Sequence, residues 1–171
     1  YNISNAEELL AWNNDYKEWT KWDVVTLTDN INCAGVITSA DWNLHNFGGT
    51  LDGNNKTIKN FVIEKEGPAA FLGKLAGNAL VKNLTFGEGC SFTTTGVSDG
   101  TYVTKDRVYA ASLAIEARDG SRFENITNYS TVIGNHAGIS GKGNYIGGIC
   151  ASVGSSEEVI ISGCNNYGAI T

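Results

Sequence analysis

A four-residue phrase, Ile58-Lys59-Asn60-Phe61, returns three times along the chain with its pattern of residue types kept. The later copies are Val81-Lys82-Asn83-Leu84, Phe123-Glu124-Asn125-Ile126 and Ile161-Ser162-Gly163-Cys164, with apolar residues at both ends and Asn or Gly third. The third positions are 23 (60 to 83), 42 (83 to 125) and 38 (125 to 163) residues apart. A unit that recurs about every 20–50 residues is typical of folds that stack one repeat on the next. The recurring phrase therefore predicts a stacked fold with a basic step near 23 residues.

Composition and charge narrow the class of protein. The 171 residues are enough for one domain with a buried core, and they include 21 glycines, one proline and no methionine. The net charge of −6 would repel a phosphate backbone, so nucleic-acid binding is disfavoured. No stretch approaches the roughly 20 apolar residues that cross a bilayer, so we predict no membrane span in this segment. We expect a mature or trimmed segment whose targeting sequence, if it had one, has been removed.

The first 23 residues differ from the rest. Ser4-Asn5-Ala6-Glu7 has the form of a capping box, in which the Ser and Glu side chains satisfy free backbone N–H groups. We predict a helix from Ala6 to Asn13, broken at residues 13–15 and resumed through Trp19. It would cover one end of the stack, where apolar core and strand edges are otherwise exposed. The helix is predicted because apolar and aromatic residues follow one another here at helical spacing, namely Leu9, Leu10, Trp12, Tyr16 and Trp19.

From Val24 onward, short apolar strands alternate with Gly, Asn and Ser turns. A strand, a turn and a second strand follow one another over 69–86, and the same layout returns over 112–126 and 146–161. Because the units recur along the sequence without tight hairpins, we predict an all-β fold, a right-handed parallel β-helix (solenoid) with an N-terminal amphipathic capping helix.

The predicted domain organisation follows from these units. The cap segment is 1–23, and the repeats form a single domain over 24–171. Because two steps exceed the basic one, insertions are predicted near 87–108 and 135–144. The chain ends within a repeat, so we expect the repeats to continue beyond this fragment.

The residues from Val24 onward resemble a known family. The segment from Thr26 to Ile31 and the string from Phe47 to Phe61 are similar to the opening of pectate-lyase-like right-handed β-helix proteins with GLUG-type repeats. The units 71–84 and 147–168 are similar to the repeat itself. The resemblance implies a secreted or surface-attached bacterial protein, of the kind that includes adhesins and proteins accompanying extracellular peptidases.

Parallel β-helices also include polysaccharide lyases and hydrolases, which need clustered carboxylates with a basic residue or calcium. Asp52 lies within a Gly/Asn turn, where it is expected to cap the turn. The 38-residue offset puts Glu124 over Ser162 and Glu116 near Gly154, so no carboxylate ladder is expected. We therefore predict no catalytic residue in this segment.

Cysteine and histidine spacing does not support a metal or a cofactor. No C-x-x-C occurs, and the two histidines lie apart from each other and from any triad context. Two alternatives stay open for Cys150 and Cys164, a disulfide or free buried thiols, and the free thiols are favoured. The four cysteines are Cys33, Cys90, Cys150 and Cys164, and the two histidines are His45 and His136.

The first predicted insertion holds the candidate ligand-binding residues, since tyrosine and arginine are favoured at recognition surfaces. The alternative interpretation, a solvated hairpin covering one face, is the favoured one. The candidates are Tyr102, Lys105, Asp106, Arg107 and Tyr109.

Two further sets of residues are assigned structural roles. Asn60, Asn83 and Asn125 are predicted to stack as a hydrogen-bonded ladder, one per repeat. The tryptophans, which could stack on sugars, are more simply expected to pack the cap onto the first repeat. They are Trp12, Trp19, Trp22 and Trp42.

The last two copies of the recurring phrase share a longer match, because Asn128-Tyr129 returns as Asn166-Tyr167 at the same offset of 38 (128 to 166).

These patterns favour a non-catalytic extracellular or cell-surface β-helix module for adhesion, scaffolding or binding of a glycan or a host or surface protein. The alternative is part of a secreted polysaccharide-active lyase or hydrolase, or of a peptidase protein, with catalysis elsewhere. The expected location is secreted or on a bacterial cell surface.

Overall fold

The chain is mostly β-strand, with one short helix and parallel sheets. The computed structural model describes residues 1–17, 22–97, 106–135, 143–154 and 157–171. The helix α1 spans Ala6–Asp15. The strands are β1 Asn2–Ile3, β2 Val24–Leu27, β3 Ile31–Asn32, β4 Thr50–Lys59, β5 Val62–Lys65, β6 Leu72–Leu75, β7 Leu80–Phe86, β8 Ser91–Thr94, β9 Val108–Ala111, β10 Ala114–Ala117, β11 Arg122–Asn128, β12 Thr131–Gly134, β13 Asn144–Gly147, β14 Cys150–Val153, β15 Ile160–Ser162 and β16 Asn165–Asn166.

The strands form four sheets, and every pairing between them in the described residues is parallel. The first sheet has the order β1-β2-β4-β7-β11-β15, with β3 beside β4 and β16 beside β11. The others are β5-β8-β12, β9-β13 and β6-β10-β14. From β7 the chain passes through β8, β9 and β10, one in each smaller sheet, and returns to the first sheet as β11. It repeats that order through β12, β13 and β14 before β15.

The register of the first sheet confirms two of the three predicted steps. Val81 pairs with Phe123 and Phe123 with Ile161, at the offsets of 42 (81 to 123) and 38 (123 to 161). The predicted step of 23 residues is wrong, because Ile58 pairs with Phe86 and not with Val81. The cause is an irregularity in β4, where residues 53–55 stand opposite the single residue Asn83 and shift the register.

The main apolar core runs between the sheets. Its centre is a chain of ring contacts in which Trp42 lies 4.8 Å from Phe61 and 5.0 Å from Phe71, measured between ring centroids. Phe71 continues the chain to Phe86 at 5.4 Å. Each fully buried side chain of this size stabilises the fold by about 1.5–3 kcal/mol relative to leaving it in water.

Helix α1 packs its buried face, including Leu9 and Trp12, against this core. The ring of Trp12 lies 6.3 Å from Phe47 and 6.5 Å from Phe71. The predicted capping box is shifted by one residue: Asn5 is the N-cap and accepts from the Glu8 N–H at 2.9 Å. The Glu8 carboxylate in turn accepts from the Ser4 N–H at 2.7 Å, so Glu8 takes the place predicted for Glu7, and the side-chain cap comes from Asn5 and not from Ser4.

The predicted boundaries differ from the structure in three places. The helix extends to Asp15 without the predicted break, and Trp19 lies outside the described residues. The predicted insertion over 87–108 includes β8, which pairs with β5 and β12 and so belongs to a sheet. Most of the insertion predicted over 135–144 lies outside the described residues. No helix in the described ranges is long and apolar enough to cross a membrane.

Candidate ligand-binding surfaces

Two of the five candidate binding residues, Tyr102 and Lys105, lie outside the described residues. Of the other three, Asp106 and Arg107 lie just before β9 and Tyr109 lies within it. Asp106 has φ +64°, in the left-handed region that favours glycine, while Asp and Asn tolerate it better than most side chains. This bend precedes the strand and places Arg107 where its side chain reaches Tyr145 of β13.

Tyr109 is not available to a ligand, since it is only 3% exposed. The parallel register pairs it with Tyr145 of β13, and the two rings stack with centroids 5.0 Å apart and planes 13° apart. Leu44, Ala70 and Ile115 form a second apolar cluster with Tyr109, separate from the main core. The prediction for Tyr109 is therefore wrong, because residues distant in sequence cover a strand that was expected to lie in an exposed insertion.

Arg107 is held in place by the half-buried Tyr145. Its Nη1 donates a hydrogen bond to the Tyr145 hydroxyl, and its Cζ lies 5.1 Å from the centre of the Tyr145 ring. The N–H at Nε is buried and has no acceptor. Among the described residues, the ion pairs involve other cations, and none includes Arg107. The structure thus presents a positioned guanidinium whose charge has no carboxylate partner in the described part of the chain.

A second tyrosine pair is strongly exposed. Tyr129 and Tyr167 are 55% and 65% exposed, and their rings stack with centroids 5.1 Å apart and planes 17° apart. Asn128 pairs with Asn166 in the parallel register and donates from Nδ2 to its Oδ1 at 2.8 Å. The repeated Asn-Tyr dipeptide was the sequence signal for this surface, but the predicted binding residues did not include these two tyrosines.

The predicted asparagine ladder is correct for two of its three members. Asn125 donates from Nδ2 to Asn83 Oδ1 at 3.1 Å, and Asn83 donates from Nδ2 to Asp52 Oδ1 at 3.1 Å. Asn60 lies in another column, where it donates to Asn32 Oδ1 at 2.8 Å. The prediction that Asn60 belongs to the same ladder is wrong. It rested on the 23-residue step, and the irregularity in β4 changes that register.

The ladder positions share a backbone property. Asn83, Asn125 and Gly163 have φ of +54°, +55° and +61°, and Asn60 has φ +53°. Asn and Gly are the residues that adopt this left-handed conformation most readily, which explains why the third place of the recurring phrase is restricted to them. The phrase therefore marks a sharp local bend in each strand.

Asp52 ends this ladder. Burial raises the pKa of its carboxyl, but hydrogen bonds from the Asn54 N–H and the Asn83 amide, with the bond and charge of Lys82, lower it more, so the net shift of the pKa is downward. The Lys82 ammonium lies 3.2 Å from Oδ2. This network uses the carboxylate to hold the irregular part of β4 and keeps it ionised.

Two other partly shielded carboxylates, those of Glu116 and Glu124, also have cationic partners. Glu116 lies 3.7 Å from Lys74 Nζ and 3.5 Å from Arg118 Nε, and Glu124 pairs with Arg122. Within the described residues, no group of three or more His, Cys, Asp or Glu side chains is placed to hold a metal ion.

The four cysteines are free thiols. Burial raises the pKa of Cys33 to about 12 and that of Cys150 to about 12, so neither is a thiolate nucleophile at neutral pH. His45 is a packing residue, since its Nε2 lies 2.7 Å from the Asn13 carbonyl oxygen and its ring contacts Tyr16. His136 lies outside the described residues.

The three tryptophans that the structure describes divide between buried and exposed positions. Trp12 and Trp42 are buried, and the indole N–H of Trp42 donates to the Phe71 carbonyl at 2.9 Å. Trp22 is 89% exposed and does not have the packing role predicted for it.

Comparison with known proteins finds no match: no family, no curated protein and no solved structure corresponds to this chain. The resemblance to GLUG-type repeats stays a prediction from the sequence.

Proposed function

We propose that this chain is a right-handed parallel β-helix module of an extracellular or cell-surface bacterial protein, and that it binds a glycan or protein ligand without catalysis, for adhesion or scaffolding. The regular return of the chain through four parallel sheets around a common core supports the β-helix assignment. The extracellular assignment follows from the sequence resemblance, and cleavage by a protease added to intact source cells would test it.

The exposed Tyr129–Tyr167 pair is the observation that carries the binding function. Two large aromatic side chains, each more than half exposed, lie side by side on a surface where apolar area costs solubility. The hydrogen bond between Asn128 and Asn166 and the parallel register hold the pair in place, so little side-chain entropy remains to be lost on binding. Tyrosine combines apolar area with a hydroxyl, which suits both the C–H face of a sugar ring and a protein hot spot.

The surroundings of the carboxylates support a non-catalytic role. Hydrolases and lyases of sugars need carboxyl groups free to donate or accept protons. Asp52 and Glu116 are instead engaged by Lys82 and by Lys74 with Arg118, respectively.

A glycan array and a set of candidate surface proteins, each read with wild-type protein and with a Tyr129→Ala/Tyr167→Ala double variant, would test the proposal. We expect the double variant to lose at least about tenfold in affinity, since truncation of a tyrosine hot spot costs about 2 kcal/mol or more. Tyr1→Ala is the matched control, because Tyr1 is similarly exposed at 53% and lies at the far end of the first sheet.

Two results would contradict the proposal. Equal loss of affinity in the double variant and in the control would remove the Tyr129–Tyr167 pair as the site. Cleavage of a bound ligand, detected as new products by chromatography and abolished by substitution of a carboxylate in this chain, would overturn the non-catalytic assignment.

A further inference from the structure

A half-buried arginine without a counter-ion needs a physical explanation. Removing a cation from water costs free energy unless it is paired, and a buried N–H without an acceptor adds to that cost. Arg107 shows both features among the described residues, because no ion pair includes it and its Nε N–H has no acceptor. The other arginines in the described ranges differ in this respect: Arg118 pairs with Glu116, and Arg122 with Glu124.

The guanidinium is positioned before any ligand arrives. The Tyr145 hydroxyl accepts from Nη1, and the Tyr145 ring lies beneath Cζ at 5.1 Å. Tyr145 is itself fixed by the parallel register and by its stack on the buried Tyr109. An arginine held in this way loses less rotamer freedom on binding an anion than a free side chain does.

We propose that Arg107 binds the carboxylate of an Asp or Glu side chain in a short acidic segment of a polypeptide partner. The guanidinium presents its N–H donors as a planar fork, which matches a carboxylate in a bidentate contact. Arginine beside tyrosine is also the composition of binding hot spots between proteins. This inference rests on the proposed binding function and assigns a protein as the partner class for this second surface.

A peptide suits this surface better than a sugar ring does. The rings that could stack on a sugar already have partners, since Tyr109 is buried and the Tyr145 ring contacts both Tyr109 and Arg107. Because the Nε N–H is buried, the N–H groups that remain for a partner are those of Nη1 and Nη2 that the Tyr145 hydroxyl does not use, and a carboxylate satisfies them. Because the chain carries a net charge of −6, it repels broadly acidic surfaces, so a short segment that reaches Arg107 is favoured over a large acidic face.

Titration of the labelled protein with a capped tetra-glutamate peptide, followed by amide chemical shifts, tests the proposal. A capped tetra-glutamine peptide is the neutral probe. We expect saturable shifts around β9 and β13 with tetra-glutamate only, and at least tenfold weaker binding in Arg107→Gln. Arg107→Lys keeps the charge but loses the fork, so an intermediate loss is expected and guards against a folding defect in the glutamine variant. Arg122→Gln removes the same charge from another sheet and should bind like the wild type.

The possible outcomes distinguish specific binding at Arg107 from general electrostatic attraction and from binding at the Tyr129–Tyr167 pair. Equal weakening by Arg122→Gln, or equal binding of tetra-glutamine, would overturn the site. Tighter binding of a uronic-acid tetrasaccharide with the same dependence on Arg107 would overturn the peptide assignment. The Tyr129→Ala/Tyr167→Ala variant is expected to bind tetra-glutamate normally. If that variant loses its glycan or protein ligand while Arg107→Gln leaves peptide binding unchanged, the proposed function stands and this inference fails.

Discussion

Replacing Asn83 with alanine would test whether the ladder and the left-handed backbone stabilise the parallel stack. Asn83 has φ +54° and joins two neighbours, donating to Asp52 Oδ1 at 3.1 Å and accepting from Asn125 Nδ2 at 3.1 Å. The substitution removes both hydrogen bonds. It also leaves alanine in the left-handed region, where its Cβ is sterically unfavourable and no polar side chain makes a compensating local hydrogen bond. Gly163 occupies the equivalent place just after β15, two strands further along the sheet, so the chain itself indicates which residue is tolerated there.

The expected loss follows from these contacts. Because the site is partly exposed, water replaces some of each lost partner, so the two hydrogen bonds together contribute about 2 kcal/mol. Holding alanine in the left-handed region costs about 1–2 kcal/mol more. Asn83→Ala should therefore lower the free energy of unfolding by about 3–4 kcal/mol. Asn83→Gly removes the same bonds without the steric cost, although it gains unfolded-state entropy, and its loss should be smaller by about 1 kcal/mol.

Urea unfolding followed by far-ultraviolet circular dichroism gives both free energies from the same experiment. The order wild type, then Asn83→Gly, then Asn83→Ala is the essential result. An Asn83→Ala variant within about 0.5 kcal/mol of wild type would refute the energetic role of the ladder, since that is the range of neutral surface substitutions. A glycine variant less stable than the alanine variant would refute the role assigned to φ.

Three further predictions concern Asp52, Gly53 and Phe61. Since the Asp52 pKa is lowered in the folded protein, wild type should be more stable than Asp52→Asn at neutral pH. The difference in the free energy of unfolding should vanish as the pH falls below the unfolded-state pKa of about 3.9 and through the folded-state pKa. Urea unfolding at a series of pH values measures it. Gly53→Ala would place a Cβ 2.6 Å from Leu84 Cα and also against the Asn83 carbonyl oxygen, costing about 3 kcal/mol or more in thermal unfolding. Gly154→Ala, whose Cβ would meet only a Glu116 side-chain oxygen at 3.2 Å, is its control and should cost far less. Phe61→Ala should cost about 3–5 kcal/mol because Phe61 is fully buried against Trp42 and Phe71, whereas exposed Val62→Ala should change stability little, and equal losses would contradict the assigned core.

Patterns that depend on neighbouring residues could be predicted from the sequence. The offsets of 42 and 38 are correct because Val81, Phe123 and Ile161 begin copies of the phrase that have no irregularity within their strands. The step of 23 failed because residues 53–55 form an irregularity opposite Asn83, and nothing in the spacing distinguishes that from an ordinary turn. The N-cap was missed by one residue because Ser4 and Asn5 are both good caps, and only the backbone geometry selects Asn5.

Candidate residues were harder to predict than strands. Tyr109 looked like a loop residue, but its burial depends on Leu44 and Ala70, which come from segments far earlier in the chain. Arg107 was named from composition alone, whereas its partner Tyr145 emerges only when β9 and β13 are in register. The Tyr129–Tyr167 pair had a visible signal, the repeated Asn-Tyr dipeptide, but its exposure could not be read from spacing.

The sequence by itself determined the β-rich class, the presence of one helix near the N-terminus, the restriction of the phrase to Asn or Gly, and the register of its last three copies. These depend on residue periodicity and local backbone preference, both of which act over a few residues. The tertiary structure decided which column Asn60 joins, which tyrosines are exposed, and which arginine stands beside a ring without a carboxylate. Those outcomes depend on contacts between residues tens of positions apart, because parallel strands bring side chains together only through the register of the whole sheet.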